Sequence, residues 1–424
     1  MTSLLVIFLF LSSCSYFEEE EIILPGKRID VFEKDTQKLI KSKKSVILPK
    51  PREILNWPLY NQNISNNLSH FLSNNSLKIK WEKKSSYREK KDNFFIAKPI
   101  IFKDRIYRIL PNSKINVINS VNGKTVWEKK LQEEDKEEIF FTGGIGIDSD
   151  TLYVTTGIGN LYSIDIKTRK TKWKKKFSSS ISSPPLIFSN KIFVITDDNQ
   201  TSAIENSNGK EIWSHSGSLE NVSIIGGVSP SLKDNVLYVT YTSGEIFALN
   251  AENGSVLWFE NIALGTIASR NLIFDIQSSP VIHKDKLLVS SYVNKFIAMS
   301  LVDGEKIWEI ELSTINPIIT SGDYSYLLDT ENKLHCIELS EGNIIWSVQL
   351  KKMKKKTPVS WVGPLLTSNK LILASSEGVI LSLSPHNGKI LSQIGTENNY
   401  VTNPVQSKKS IFIITKKGKL LALE

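Results

Sequence analysis

A short phrase returns along most of this chain: a turn, a glycine, three residues and a tryptophan. It reads AENGSVLW at 251–258, VNGKTVW ending at Trp127, TRKTKW at Trp173, SNGKEIW at Trp213, VDGEKIW at Trp308 and EGNIIW at Trp346, with Ser392 in the tryptophan place of HNGKILS. Successive anchors lie 46, 40, 45, 50, 38 and 46 residues apart. Self-similarity at that period means units that each bury a hydrophobic face against the next, so the repeat decides the fold before local propensity does.

Residues 277–312 show what one unit builds. The runs SPVI, KLLVSSY, KFIAMSL and EKIWEIEL are separated by HKD, VN and VDG. Short runs rich in Val, Ile, Leu and aromatics, split by turn chemistry, predict antiparallel strands joined by hairpins. Asn-Gly or Asp-Gly in the last turn supplies the positive φ of a tight hairpin. The glycines therefore belong to turns; no helix follows them, and no lysine-serine pair completes a phosphate loop. A large ring at one place in each outermost strand fills the gap between neighbouring sheets, which makes Trp81, Trp127, Trp173, Trp213, Trp258, Trp308 and Trp346 structural anchors.

Inner strands open with Pro or Gly at KPIIF (98), GGIGI (143), SPPLI (183), SPSLK (229), SPVIH (279), NPIIT (316), GPLLT (363) and NPVQS (403), which makes eight. The last unit ends at GKLLALE without a tryptophan strand, while SLKIKWEKK at 76–84 has Trp81 and no strands of its own. Pairing the two orphans closes an all-β, single eight-bladed β-propeller over 76–424 and removes two exposed edges.

A formal charge of +9 suggests nucleic acid only at first sight, because the lysines are dispersed and the densest run, KKMKKK at 351–356, precedes Thr357-Pro358 as a solvated loop. No nucleic-acid partner is expected. Residues 1–13 contain an apolar run from Leu4 to Leu11, too short to span a bilayer, which needs roughly 20 residues. They read as a secretory signal peptide. Leu11-Ser12-Ser13-Cys14 is similar to the bacterial lipobox, in which the cysteine thiol receives diacylglycerol with palmitate-class chains; no Lys or Arg precedes the apolar run. By that resemblance Cys14 anchors the protein to the outer membrane, facing the periplasm. Residues 14–75 lack the repeat and read as a mostly irregular tether and lead-in segment, with one short helix near Leu68 to Leu72.

The pattern A-x-(D/E)-x-G-x-x-x-W, as in ALNAENGSVLW at 248–258, resembles the quinoprotein-type repeat of PQQ-dependent alcohol dehydrogenases and of the BamB lipoproteins of the β-barrel assembly (BAM) machinery. NWPLYNQNISNN at 56–67 resembles the W-P-x-x-x-G-N opening found before the first blade in that family. Both an enzyme and a scaffold use this repeat, so residues must decide. The dehydrogenases carry adjacent cysteines over the quinone and Glu, Asn and Asp ligands for calcium. Here Cys14 and Cys336 stand far apart, and Cys336 alternates with strand neighbours as a small buried residue. His70, His215, His283, His335 and His386 lack metal-ligand spacing, and His283 and His386 fall in turns as solvated residues. No cofactor, catalytic residue, metal or small-molecule substrate is expected. The resemblance implies a non-enzymatic scaffold, a monomer within a hetero-complex, that binds a POTRA domain of BamA alongside other BAM components and assists insertion of outer-membrane proteins. A quinoprotein dehydrogenase and an envelope glycan-binding propeller are the alternatives.

By the same resemblance, partner contact involves loops before two consecutive inner strands, VSIIGGVSP (222–230) and ASRNLIFDIQSSP (268–280). Val222 and Ile224 fall on apolar contact positions and Asp275 on an acidic one, while Ile225 and Gln277 depart from the Arg and Asp common there. Val222, Ile224, Ile225, Ile273 and Phe274 are unusually apolar for loops, which suggests a partner surface or a small satellite core.

Overall fold

The computed structural model describes residues 40–41, 44–74, 77–85, 97–110, 113–131, 143–219, 227–263, 276, 278–292, 294–354 and 357–424. Cys14, Val222, Ile224, Ile225, Ile273, Phe274 and Asp275 lie outside these residues.

Eight antiparallel sheets form the blades of a propeller, and no helix occurs among the described residues. Blades 1 to 7 run in chain order over 100–130, 145–176, 186–216, 231–261, 281–310, 319–349 and 361–395, each adding strands from the inside outwards. Outside blade 7, whose first strand Trp361–Thr367 has 7 residues, the inner strands are short because they converge on an axis; Val281–His283, for example, is 3 residues long against 6 for Lys286–Ser291. Blade 8 takes three strands from 405–423 and its outermost, Ile79–Lys83, from the other end of the ring. Trp81 pairs with Ala422 and Lys83 with Leu420, and Lys78 and Glu424 exchange two backbone hydrogen bonds of 2.9 Å. The expected closure is therefore the observed one.

Within a blade, the tryptophan sits in a fixed cross-strand trio. Tyr238, Ala248 and Trp258 share one register row, as do Phe193, Ala203 and Trp213, and Tyr326, Cys336 and Trp346. A small middle residue lets the flanking rings meet over it, with centroids 5.9 Å apart in all three blades. That role explains the fully buried Cys336.

Between blades, the indole N–H donates to a carbonyl in the next blade's hairpin. Trp213 reaches Ala251 O at 3.1 Å, Trp258 reaches Leu301 O at 3.0 Å and Trp308 reaches Leu339 O at 3.0 Å. The turn glycine is required for two reasons at once. Gly254 has φ 74°, and a Cβ there would lie 2.6 Å from the Trp213 ring. Two blades break the pattern, each for a visible cause. Trp127 faces the turn in which Arg169 (φ 62°) replaces glycine, and its buried Nε1 has no hydrogen-bond partner among the described residues. Ser392 faces blade 8, whose third and fourth strands come from opposite ends of the chain, so that no hairpin turn is there to receive an indole; its hydroxyl pairs with Ser382 Oγ at 2.7 Å.

The lead-in segment is the main departure from the sequence reading. Residues 52–74 form a belt over the mouth of the propeller on the side of the first hairpin of each blade. No helix forms at 68–72; Leu68 and Phe71 make isolated bridges to Ile319 and Thr367 instead. The belt visits the blades in order. Trp57 exchanges hydrogen bonds of 2.7 and 2.8 Å with Ile101 in blade 1, and Pro58 O accepts from Ile147 in blade 2. Leu59 packs in one cluster with Ile187 of blade 3. Ile64 O, Ser65 O and Leu68 O accept from Leu232, Ile282 and Thr320 in blades 4, 5 and 6. Phe71 is bonded through both backbone groups in blade 7, and Ile54 O accepts from Lys408 in blade 8. These bonds are backbone to backbone, so no side-chain period announces them. The lysine run also differs from a plain loop: Met353–Lys354 pairs with Thr357–Pro358 as a small hairpin.

The two kinds of tryptophan separate experimentally. Trp213→Phe removes a packed ring edge and a buried hydrogen bond, whereas Trp127→Phe removes only the former. Trp213→Phe is expected to destabilise the protein more than Trp127→Phe by about 1 kcal/mol, read from urea unfolding of both variants; equal losses would refute the interblade hydrogen bond as a contributor.

Candidate functional site

The propeller axis is where the belt and the inner strands bring polar side chains together. Arg52 N donates to His70 O at 3.0 Å and Leu72 N to Arg52 O at 2.8 Å, closing 52–71 into a loop around the axis. Asn66 (φ 55°) turns its amide inward, where Nδ2 lies 3.0 Å from Ser229 O and Pro230 O and 3.1 Å from Pro280 O. A buried amide that satisfies inner-strand carbonyls of two blades replaces the water those carbonyls would otherwise need. Asn66 Oδ1 in turn accepts from Asn61, and Asn61 Oδ1 accepts from Lys98 Nζ at 2.7 Å.

Lys98 is the unusual member. It is 5% exposed, its Nζ lies 3.7 Å from the centre of the Tyr60 ring, and no carboxylate among the described residues pairs with it. Burial pushes its ammonium down to about 7. The ring face and the amide oxygen are the groups that receive its charge.

Two histidines fasten the belt. His70 gives Nδ1–H to Pro49 O at 2.9 Å and takes the Asn369 N–H on Nε2 at 2.9 Å, which identifies a neutral ring. Burial holds its pKa below the ordinary range, opposed by the Pro49 hydrogen bond and aided by nearby His386. His283 is half-buried rather than solvated: the belt brings Asn67 to 3.2 Å from Nδ1, Thr320 lies at 2.9 Å, and Nε2 meets Gly322 O at 2.8 Å. Its pKa is also lowered, chiefly by burial. His386 stays exposed in its turn, with Nδ1 2.8 Å from Val46 O.

The remaining histidines brace the blades. His335 bridges Asp329 and Ser347 within blade 6, each at 2.8 Å, and His215 meets Tyr241 OH of the next blade at 3.0 Å. Among the described residues, no three His, Cys, Asp or Glu side chains converge as metal ligands.

Comparison with known proteins was decisive at the level of family. The profile of the family "Outer membrane protein assembly factor BamB" matches residues 111–348, more than half of the chain. The chain belongs to the BamB family. An outer membrane protein assembly factor BamB from Legionella pneumophila (strain Paris) is 26% identical over 193 residues, covering 45% of this chain and 49% of that protein. The chain thus spans about half the length of this curated relative. The crystal structure of BamB from Moraxella catarrhalis superposes with a TM-score of 0.68 at 20% identity, covering 82% of this chain and all (100%) of that one. A europium-containing methanol dehydrogenase gives 0.69 at 13% identity, covering 85% and 89%. At these identities the two structures establish a shared fold.

In this BamB-family chain, the partner-contact candidates fall in the connections from blade 3 to 4 and from blade 4 to 5. The described flanks of these connections differ: Leu219 is 78% exposed, whereas Ile276 is 2% exposed and joins a core cluster. The belt, Lys98 and the histidine fasteners were not identifiable as a site from sequence. Their one local signal was the Trp-Pro pair at 57–58, and Trp57 is fully buried, edge-on to Phe71 at 5.8 Å.

The depressed Lys98 sets a pH dependence with a definite sign. Between about 7 and the ordinary lysine value of 10.5 the unfolded chain holds a proton that the folded chain has released. Stability therefore rises with pH across that window, and its Lys98 component is lost as pH falls through it. Lys98→Met is expected to flatten this slope, measured by urea unfolding at a series of pH values; an unchanged slope would contradict the buried, unpaired ammonium. His70 and His283 act in the same sense at lower pH, their contribution being present above about 6.5 and lost as pH falls towards their lowered values.

Proposed function

We propose that this protein is a non-enzymatic scaffold of the outer-membrane β-barrel assembly machinery, anchored through Cys14 and facing the periplasm. The observation that carries this reading is the BamB family match, which runs from blade 1 through blade 6. The compact blades add support. They fit within short repeats, and the belt rings the axis at one mouth. What the solved dehydrogenase shares with this chain is the fold.

Within that reading, the partner is a POTRA domain of BamA, held by the connections before the inner strands of blades 4 and 5. Val222, Ile224, Ile225, Ile273 and Phe274 supply an apolar contact, and Asp275 a single acidic one. Exposed Leu219 extends the same apolar character into the first connection. A POTRA domain offers open sheet edges, so an extended loop adding as a strand fits its chemistry. The chain enters the inner strands of blades 4 and 5 from these connections and leaves them at the hairpins beneath the belt.

Capture of the lipoprotein from detergent-solubilised membranes tests the assignment. The wild type is expected to bring down the barrel insertase. Ile224→Ala with Asp275→Ala is expected to weaken that capture several-fold while thermal unfolding is unchanged. Intact capture by the double variant would remove the site, and recovery of a quinone or of glycans in place of the insertase would remove the function. Cys14→Ala is expected to abolish lipid labelling and release the protein from membranes; normal membrane fractionation would refute the anchor.

A further inference from the structure

The loop closed by Arg52 and Phe71 is hollow. It borders an open funnel of about 560 Å³, lined by Pro49, Lys50, Arg52, Gln62, Asn63, Ser65, Asn67, Ser69 and His70, from the belt and the residues just before it. Its polar groups divide into two sets. Asn63, Asn67 and His70 are committed to the belt: Asn63 accepts from Ser65 N and Asn67 N, Asn67 bonds Ile282 O and Thr320, and His70 uses both ring nitrogens. The second set has donors to spare. Lys50 and Arg52 are exposed, and neither forms an ion pair with a carboxylate among the described residues. Gln62 uses its carbonyl oxygen to accept from Asn63, which leaves its amide N–H groups. Ser69 Oγ is buried and makes no hydrogen bond among the described residues.

Spare donors around a concave site, two of them cationic and with no acidic residue in the lining, specify an anion. Donors placed around a ring suit a tetrahedral group that accepts from several directions, more than a planar carboxylate that presents one edge. The volume exceeds that of the anion alone, and the amide and hydroxyl lining suits a hydroxylated body attached to it.

We propose that this funnel is a binding site for a phosphate-bearing, hydroxylated ligand, with Arg52 and Lys50 on the phosphate and Gln62 and Ser69 on its remaining oxygens. The chemistry is shared by soluble sugar or glycerol phosphates and by phospholipid headgroups. The funnel shares no lining residue with the proposed partner loops, so its test does not depend on barrel assembly.

The test uses the full-length protein and two probes. Glycerol phosphate is titrated calorimetrically, with glycerol as the uncharged control, and vesicles of phosphatidylglycerol in phosphatidylcholine are compared with pure phosphatidylcholine by flotation. Saturable binding of glycerol phosphate, weakened roughly tenfold by Lys50→Gln and by Arg52→Gln, supports the site with a soluble source. Binding seen with the anionic vesicles alone, and weakened by the same variants, supports it with a lipid source. Arg52 also lies over Phe71 at 5.9 Å, so its loss can disturb the belt. Lys50→Gln touches no belt contact, and its effect on binding decides between the outcomes if Arg52→Gln unfolds. Absence of binding in both arms, or binding that Lys50→Gln leaves unchanged, overturns the proposal.

Discussion

The ring stands on one contact repeated around it: an indole of one blade laid on the glycine turn of the next, its N–H given to a carbonyl of that turn. A propeller blade cannot bury both faces of its sheet alone, and the outer strands splay apart with distance from the axis. A side chain large enough to bridge that widening gap, with a polar edge that finds a fixed acceptor, sets both the spacing and the angular registration of neighbours. The glycine is the other half of the contact, since a Cβ in its place would overlap the ring. The two exceptions follow the same logic. Where Arg169 stands in the turn, Trp127 keeps its burial and its N–H finds no acceptor among the described residues. Where blade 8 has no hairpin, Ser392 replaces the indole because the surface it would cover is missing.

This contact was legible in the sequence because it is made by side chains at fixed spacing. The count of blades and the closing strand at Trp81 followed from the same spacing. The belt was not legible. Its fit depends on backbone groups meeting the inner strands, and a backbone hydrogen bond leaves no residue signature. NQNISNN read as low-density tether because asparagine is the residue of loops, yet Asn61 and Asn66 are 3% and 2% exposed. Asparagine serves here for two properties together, tolerance of a left-handed backbone and a side chain that both donates and accepts. His283 was misplaced for a related reason: its turn is an inner-strand hairpin, and what buries it is a segment more than two hundred residues earlier in the chain, in contact through Asn67.

The belt also explains how the axis tolerates its polar content. Short inner strands of a propeller leave carbonyls pointing at the axis, and an unsatisfied buried carbonyl is costly. Asn66 meets three of them. The same arrangement admits Lys98, whose ammonium meets a ring face and an amide oxygen and no carboxylate among the described residues, and whose proton is therefore loosely held.

Topology then gives the molecule two ends. Each inner strand runs from a blade-to-blade connection to its first hairpin, so the strands enter from one end and turn at the other. The belt binds the hairpin end and fastens seven of the eight blades by hydrogen bonds, with blade 3 held through Leu59. The tryptophan contacts do not pass through the connections, and the belt meets those before blades 4 and 5 only at their last residues, where Asn66 bonds Ser229, Pro230 and Pro280. That is the physical reason a single propeller can serve as an enzyme in one protein and a scaffold in another. In this chain the two connections that are unusually apolar in sequence adjoin the same blade.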